Sequence, residues 1–547
     1  MSSLDSKRLN LWLPILFSIV LITGMVFGYK LNQSASFKKS ITSIIQNDRL
    51  EEIVSLINNR YVDYVDEESL YLDGINGILS QLDPHTFYIP YDNVDNTNDN
   101  LKGIYKGIGL EYFMLEDTLV VVSVAENGGA ADAGIQLGDK ILRVNNEWIA
   151  GEGMDMDGVK MVFKNIKNDT FFVDVQRNNT PNLIRLKLVK SVIYKSSIDL
   201  SYKLAEHIGY IRINKFSENT YQEFIKALDE LQPNSLQTLI LDLRQNSGGY
   251  LDAAISILDE FFGNDEVLLK IKGKNFSNET FKATAGGKYL HGNIVVLIDE
   301  TTASSSEIIA GAIQDWDRGI IIGRNSFGKG LVQEQFDLSD GSALRLTIAR
   351  YYTPTGRSIQ RDYSKGKQAY EAESDARLNG VNNWEVVHHE DDAVYHSMVH
   401  KRILYSGSGI EPDVYVKYPD FMLNPDFWNA INGIDNFTNA YFAYHIDEFL
   451  KFNGIEDFND HFEISSAILN QYRSNLNTAF QTSINKVWKD PQQINYIKLM
   501  IKAKFARLLF RNKGYFVILN SNNEVIQKAL NIIQTPNEYE ALLNQTH

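Results

Sequence analysis

The sequence predicts a multidomain α/β protein: an N-terminal membrane helix and helical unit, a β-rich module, a layered α/β core, and a helical C-terminal region. Three observations carry this. The 547 residues exceed what one hydrophobic core ordinarily organises, so roughly three or four compact units are expected. Hydrophobic residues form 44% of the chain, enough to fill real cores. After Ile193, apolar runs of strand length alternate with segments of helical period, the pattern of strands layered with helices.

Residues 1–10 hold Lys7 and Arg8, and the uncharged run Leu11–Tyr29 follows. At ~1.5 Å rise per residue this run is about 28 Å long, enough to span a bilayer. The preceding positive charges keep residues 1–10 cytoplasmic and send the rest across. A cleaved signal peptide is the competing reading. The length of the run, with only Ser34-Ala35-Ser36 as a weak cleavage site, favours a retained anchor over residues 11–29. The expected location is the cell membrane, single-pass, with the bulk of the chain extracytoplasmic, in the periplasm.

Residues 40–93 read as a helical unit, with Ile44, Ile45, Leu50, Ile53, Val54 and Ile57, then Leu70, Leu72, Ile75 and Leu79, at helical spacing. The pattern ends at Asp83-Pro84-His85-Thr86, since proline disfavours helical backbone in the residue before it; His85 is read as structural. The polar stretch Asn93–Asn100 reads as a linker. Residues 99–190 form the β-rich module, with Thr118–Val124 as a β-branched strand. The glycines of Gly107-Ile108-Gly109-Leu110 would let backbone N–H groups turn inward around a terminal carboxylate, although an ordinary turn is the commoner explanation of such a loop. With Ala133-Gly134-Ile135 and Leu137-Gly138-Asp139-Lys140-Ile141 added, the segment resembles a PDZ domain. That resemblance implies a peptide added to a sheet edge with its C-terminus held at residues 107–110.

Residues 191–418 carry the core, with strands at Ile208–Ile213, Thr238–Leu243, Ile294–Ile298 and Gly319–Gly323 and helices at Leu251–Phe262 and Ser306–Trp316. Residues 361–402, rich in Asp, Glu, Tyr and His, interrupt this pattern as a surface insertion. Residues 419–547 are helical in period and of unassigned role. Within them Lys486–Lys513 holds eight basic residues against one acid, Asp490. That is ordinarily a solvated face, with a docking surface for an acidic partner or lipid as the alternative.

Composition narrows function. A net charge of -16 argues against nucleic acid, whose phosphates require clustered Lys and Arg. The absence of cysteine excludes disulfides, zinc–thiolate sites and cysteine nucleophiles. His388, His389, His396 and His400 lie near Glu390, Asp391 and Asp392, but a solvated loop accounts for them. No metal or cofactor is expected.

The chemistry concentrates between Thr301 and Gln333, where Ser304, Ser305 and Ser306 open a helix and Lys329 follows between Gly328 and Gly330. A serine hydroxyl is a weak nucleophile until a base takes its proton, and lysine serves only when its surroundings keep it neutral. A serine/lysine hydrolase is indicated, with the choice among three serines open. Upstream, Gly248-Gly249 follows an apolar strand and could turn backbone N–H groups toward an oxyanion; a plain turn capped by Asn246 or Ser247 is the alternative. Arg357 could meet a carboxylate or serve a fold-stabilising ion pair or hydrogen bond.

The motifs DPHTFY, the PDZ-like module, DLRQNSGG, TTASSSE, GKGLVQ, TPTGRSIQ and GIEPD, in this order, resemble those of the carboxyl-terminal processing proteases, the S41 serine peptidases, over roughly residues 44–416. The resemblance implies a ClpP/crotonase-like core, Ser304 as nucleophile and Lys329 as base. Lysine stands 25 residues after Ser304, in agreement with the family, whereas Ser306 would leave 23. Ser305 departs from the family's commoner alanine. Its N–H, with that of Gly248 or Gly249, is implied as the oxyanion hole. Gln333 is implied to orient the amine. An extended strand would separate it from Lys329 by about 13 Å, so Gly330 is expected to bend the chain. The function implied is a membrane-anchored serine endopeptidase that processes or degrades extracytoplasmic proteins with free C-termini, compatible with a homo-oligomer or an adaptor partner. A catalytically silent PDZ scaffold and an acyl-transfer enzyme for small esters or thioesters are the competing readings.

Overall fold

A computed structural model describes residues 49–151, 153–177, 180–232, 236–378 and 393–545. The segment 11–29, His388, His389 and residues 390–392 lie outside the described residues. The chain divides into two compact units, one ending at Leu82 and one beginning at Asp83.

In the first unit, helices Arg49–Arg60 and Glu67–Leu79 form a pair, the second capped by the Asp66 carboxylate on the Glu68 N–H. Val54 and Leu79 are their buried apolar residues. Among the described residues of the whole chain, no helix is long and apolar enough to cross a membrane.

The second unit opens with the Asp83–Thr86 turn and the strand Phe87–Ile89. The polar stretch expected to be a linker lies in a helix, Tyr91–Lys102. Its Asn and Asp residues are poor helix formers, but Gly103 closes it in a left-handed conformation (φ 76°), the usual helix stop. Strand Ile104–Gly107 then pairs antiparallel with Ser191–Tyr194, so the chain enters and leaves the β-rich module side by side. Inside the module an antiparallel sheet, Leu110–Leu115, Thr118–Val124, Lys140–Val144, Thr170–Gln176 and Leu183–Val189, packs against helix Met156–Asn165 around Val121, Ile141, Val159 and Val173. Leu110–Leu115 pairs on one side only and leaves a sheet edge open.

The core sheet runs Ile198–Ala205, Ile208–Ile213, Thr238–Asp242, Asn293–Ile298, Ile320–Gly323 and Val414–Tyr415, parallel after its first pair. Parallel strands need both faces covered. Helices Thr220–Leu231, Leu251–Asp259 and Ser305–Asp315 cover one face, against Ile211, Leu241, Val296 and Ile321. The other face, with Tyr210, Ile240, Val295, Leu297 and Ile322, is covered by Val525, Ile526, Ala529, Ile532 and Tyr539 from helices Glu524–Gln534 and Glu538–Leu543. The last segment of the C-terminal region is therefore the second layer of the core. A second sheet, Phe87–Ile89, Leu331–Asp337, Ala343–Tyr352, Val267–Lys272 and Glu279–Lys282, carries the lysine loop at its margin.

Candidate active site

The Ser304 loop follows the central strand Asn293–Ile298, and the glycine turn follows its neighbour Thr238–Asp242. Asp299 fastens the two: its carboxylate accepts the N–H groups of Gln245, Thr301 and Thr302. Ser304 caps helix Ser305–Asp315 with φ 55° and ψ -118°. Such backbone costs a side-chain-bearing residue on the order of 1–3 kcal/mol and persists only where its surroundings enforce it.

The enforcing contacts are visible. Ser305 Oγ donates to the Gly249 carbonyl at 2.9 Å and Ser306 Oγ to the Asn246 carbonyl at 3.0 Å. Two of the three hydroxyls thus pin the glycine turn to the helix, and Ser304 Oγ is the one that does not. At Gly248 (φ 95°) a Cβ would lie 2.7 Å from Ser304 Cβ, so only glycine fits. The two glycines differ in their N–H groups. Gly248 donates to Asn246 Oδ1 at 2.9 Å, which removes it as an oxyanion donor. The Gly249 carbonyl faces the helix start, where it accepts the Ser305 hydroxyl. Gly249 and Ser305 both line the cleft.

Lys329 Nζ donates to Gln333 Oε1 at 2.7 Å. Burial, then the positive charge of Arg345, lowers its pKa. Gly330 does not supply a left-handed bend. That conformation falls at Gly328 (φ 89°), and Gly330 is instead close-packed, with its N–H on Gln360 Oε1. The long side chains of Lys329 and Gln333 close the remaining gap. Ser304, Lys329, Gln333, Gly248, Gly249 and Ser305 all line one cleft of about 830 Å³. No hydrogen bond joins Ser304 Oγ to Lys329 Nζ among the described contacts.

Two residues that sequence reasoning passed over hold this arrangement together. Glu307, fully buried, accepts Ser304 N–H and Lys329 N–H on Oε2 (both 2.9 Å), and Gly328 N–H (2.7 Å) and Ser326 Oγ–H (2.5 Å) on Oε1. Burial pushes its pKa up to about 7 against the pull of these donors. Its position three residues after the helix cap is the signal that could have found it. The Tyr351 hydroxyl, also buried, bridges the Ser304 and Lys329 carbonyls; nothing in its sequence context marks it.

Elsewhere, Gly107, Ile108, Gly109 and Leu110 line a cleft of about 590 Å³ with Tyr112, Phe163, Lys164, Lys167 and Lys190, beside the open strand edge. Arg357 is a buried structural partner of Asp315 (2.9 Å) and Gln314 (2.6 Å). His396 and His400 join no metal-binding cluster among the described residues. The basic run is spent largely inside the chain: Lys486 meets Asp426, Lys502 Glu463, Lys504 Asp435, Arg507 Glu111 and Arg511 Glu126.

A β module with an open strand edge joined to a layered α/β core, with a serine and a half-buried lysine in one cleft, is an arrangement suited to a serine-type protease. A family model described as peptidase family S41 matches residues 207–366, and one described as PDZ domain matches residues 107–188. A carboxy-terminal-processing protease of Bartonella bacilliformis is 34% identical over 60% of this chain and 76% of its own length. The carboxy-terminal processing protease CtpB of Bacillus subtilis is 32% identical over 57% of this chain and 65% of its own. A solved photosystem II D1 C-terminal processing protease matches with TM-score 0.33 and 26% identity, over 57% of this chain and 89% of that one. The chain belongs to peptidase family S41, as a serine-type carboxy-terminal-processing protease with a PDZ domain.

Proposed function

We propose that this protease uses Ser304 and Lys329 as its catalytic pair and acts, from a membrane anchor at residues 11–29, on extracytoplasmic proteins whose C-termini its PDZ domain holds. The observation that carries the catalytic reading is the Lys329 amine, partly buried and bonded to Gln333 in the same cleft as Ser304. As a neutral base it takes the Ser304 Oγ proton while the oxygen attacks the scissile carbonyl. The oxyanion forms against the N–H groups of Gly249 and Ser305. Lys329 then passes its proton to the leaving amine, and water, deprotonated by the same amine, frees the acyl group from Ser304.

The PDZ reading rests on the open edge of strand Leu110–Leu115 and on the loop at 107–110, where an extended tail adds a strand and its carboxylate meets backbone N–H groups. Cleavage of a partly unfolded protein by wild type, but not by Ser304→Ala or Lys329→Ala, is the expected result. Equal cleavage by all three, or binding of tails without cleavage by any, supports the silent scaffold instead. The anchor is tested separately by partition of the full chain into the membrane fraction and its release when residues 1–30 are removed.

A further inference from the structure

The Lys329 amine meets an amide with two unlike ends. A neutral amine has two N–H donors and one lone pair, and it is the lone pair that must face Ser304. If the Gln333 amide presented its NH2 group to Lys329, it would donate into that lone pair and disable the base. In the structure Gln333 Nε2 donates to the His85 carbonyl at 2.5 Å while Oε1 accepts from Lys329 at 2.7 Å. A carbonyl can only accept. Turning the amide over would set two acceptor oxygens together, so the His85 carbonyl fixes which end Lys329 sees.

The position of that carbonyl is in turn set by Asp83. Its Oδ1 accepts the N–H groups of His85 (2.9 Å) and Thr86 (3.0 Å), and its Oδ2 accepts the Thr86 hydroxyl (2.7 Å). Thr86 Oγ1 accepts the N–H of Thr347 at 3.2 Å, and Thr347 is the cross-strand partner of Gln333. The turn is thereby stapled to the same rung of the sheet as the glutamine it orients. The His85 ring does not take part in the relay. It packs edge-on to Phe327 and Tyr370 with Nε2 3.2 Å from the Tyr370 hydroxyl, and burial, with the Lys329 charge, lowers its pKa to about 4.

We propose that the Asp83–Thr86 turn is a positioning element for the base, with Asp83 as its positioning residue: it holds the His85 carbonyl against Gln333 so that the amide offers Lys329 only its oxygen. This rests on the reading of Lys329 as base. The test is a double-mutant cycle in the full chain, with kcat and KM for an unstructured peptide measured at alkaline pH. Asp83→Ala lowers kcat about tenfold, the scale of one lost positioning hydrogen bond, and leaves KM within about twofold. In a Gln333→Ala background the same substitution adds nothing, because its target is gone. Asp83→Asn, which keeps the Oδ1 acceptor, recovers most of the loss. An equal cost of Asp83→Ala in both backgrounds overturns the proposal, as does a Gln333→Ala enzyme with wild-type kcat. Should Asp83→Ala fail to fold, Thr86→Val, which removes only the hydroxyl staple, replaces it in the cycle under the same criteria. Full activity in Lys329→Ala would instead remove the base itself, a result distinct from either.

Discussion

Two titratable side chains of the site, Lys329 in the cleft and Glu307 buried beside it, have effects of definite sign. Lys329 has its pKa lowered first by burial and then by Arg345, while Asp83 and Glu307 pull it upward. With Lys329 as the proposed base, activity requires the neutral amine and rises as pH climbs through that lowered pKa. Arg345→Gln removes a positive neighbour and lets the pKa move back up. Its kcat profile is expected to keep its alkaline plateau but to shift its acid limb to higher pH; an unmoved limb, or one displaced to lower pH, counts against Lys329 as the titrating base. Glu307 is the converse case, a carboxylate pushed up to about 7 that nonetheless accepts four donors. Glu307→Gln replaces an acceptor oxygen with an NH2 group facing N–H donors, and a buried unpaired donor costs about 1–3 kcal/mol. A lower thermal midpoint and a fall in kcat larger than any change in KM are expected. The proposed pair of Ser304 and Lys329 was legible in the sequence because serine and lysine are chemistry-bearing residue types and their spacing matches the resembled family. The parts that orient it were not. The His85 carbonyl lies 248 residues from Gln333 and is a backbone atom that no residue type announces, and Tyr351 reaches two carbonyls by a hydroxyl that reads as one more strand tyrosine.

At the scale of elements, the alternation of strands and helices gave away the layered core, but not which helices complete it. Ile208–Ile213 and Thr238–Asp242 are buried at every residue, as expected of strands covered on both faces, and the helices local to them in sequence supply only one cover. The other arrives from Glu524–Leu543, more than two hundred residues beyond the central strand, a pairing that periodicity cannot indicate. The energetic consequence is specific. Ile526 is fully buried against the sheet, so Ile526→Ala should cost about 2–5 kcal/mol and lower the unfolding midpoint of the protease core itself, not of a detachable tail. Chemical denaturation followed at a core tryptophan such as Trp316 would show it. A C-terminal substitution that left the core transition unmoved would mean that these helices are an appendage.

Across the whole second unit, the C-terminal helices also reach the PDZ domain, and the character of those contacts predicts how the molecule moves. Helix Pro491–Asn520 breaks at Phe510 and Arg511, where Arg511 takes φ 56°, and its guanidinium donates to the Val124 carbonyl and pairs with Glu126 at 3.3 Å. Arg507 lies 3.9 Å from Glu111, and the Tyr444 hydroxyl donates to Glu116 at 2.9 Å. One residue on, Asn512 bonds to Asp199 of the core at 2.8 Å. These are largely exposed polar contacts, each worth no more than about 1 kcal/mol and weakened by salt; Leu137 adds a small apolar contact with the C-terminal helices, less than the apolar packing that joins Glu524–Leu543 to the core. The C-terminal region is therefore firmly part of the core at one end and a light brace on the PDZ domain at the other, near the strand edge that would receive a substrate tail. Arg511→Ala should free the PDZ domain without destabilising the core: faster hydrogen exchange in Thr118–Val124 and faster proteolytic nicking around Lys190–Ser196, with the core unfolding midpoint retained. Raising ionic strength should move the wild type toward the same behaviour and leave the variant little changed. If exchange in Thr118–Val124 were the same in both proteins at low salt, the Arg511 contacts would carry no mechanical load, and the PDZ orientation would have to be set by the paired strands Ile104–Gly107 and Ser191–Tyr194 and by Leu137 against the C-terminal helices.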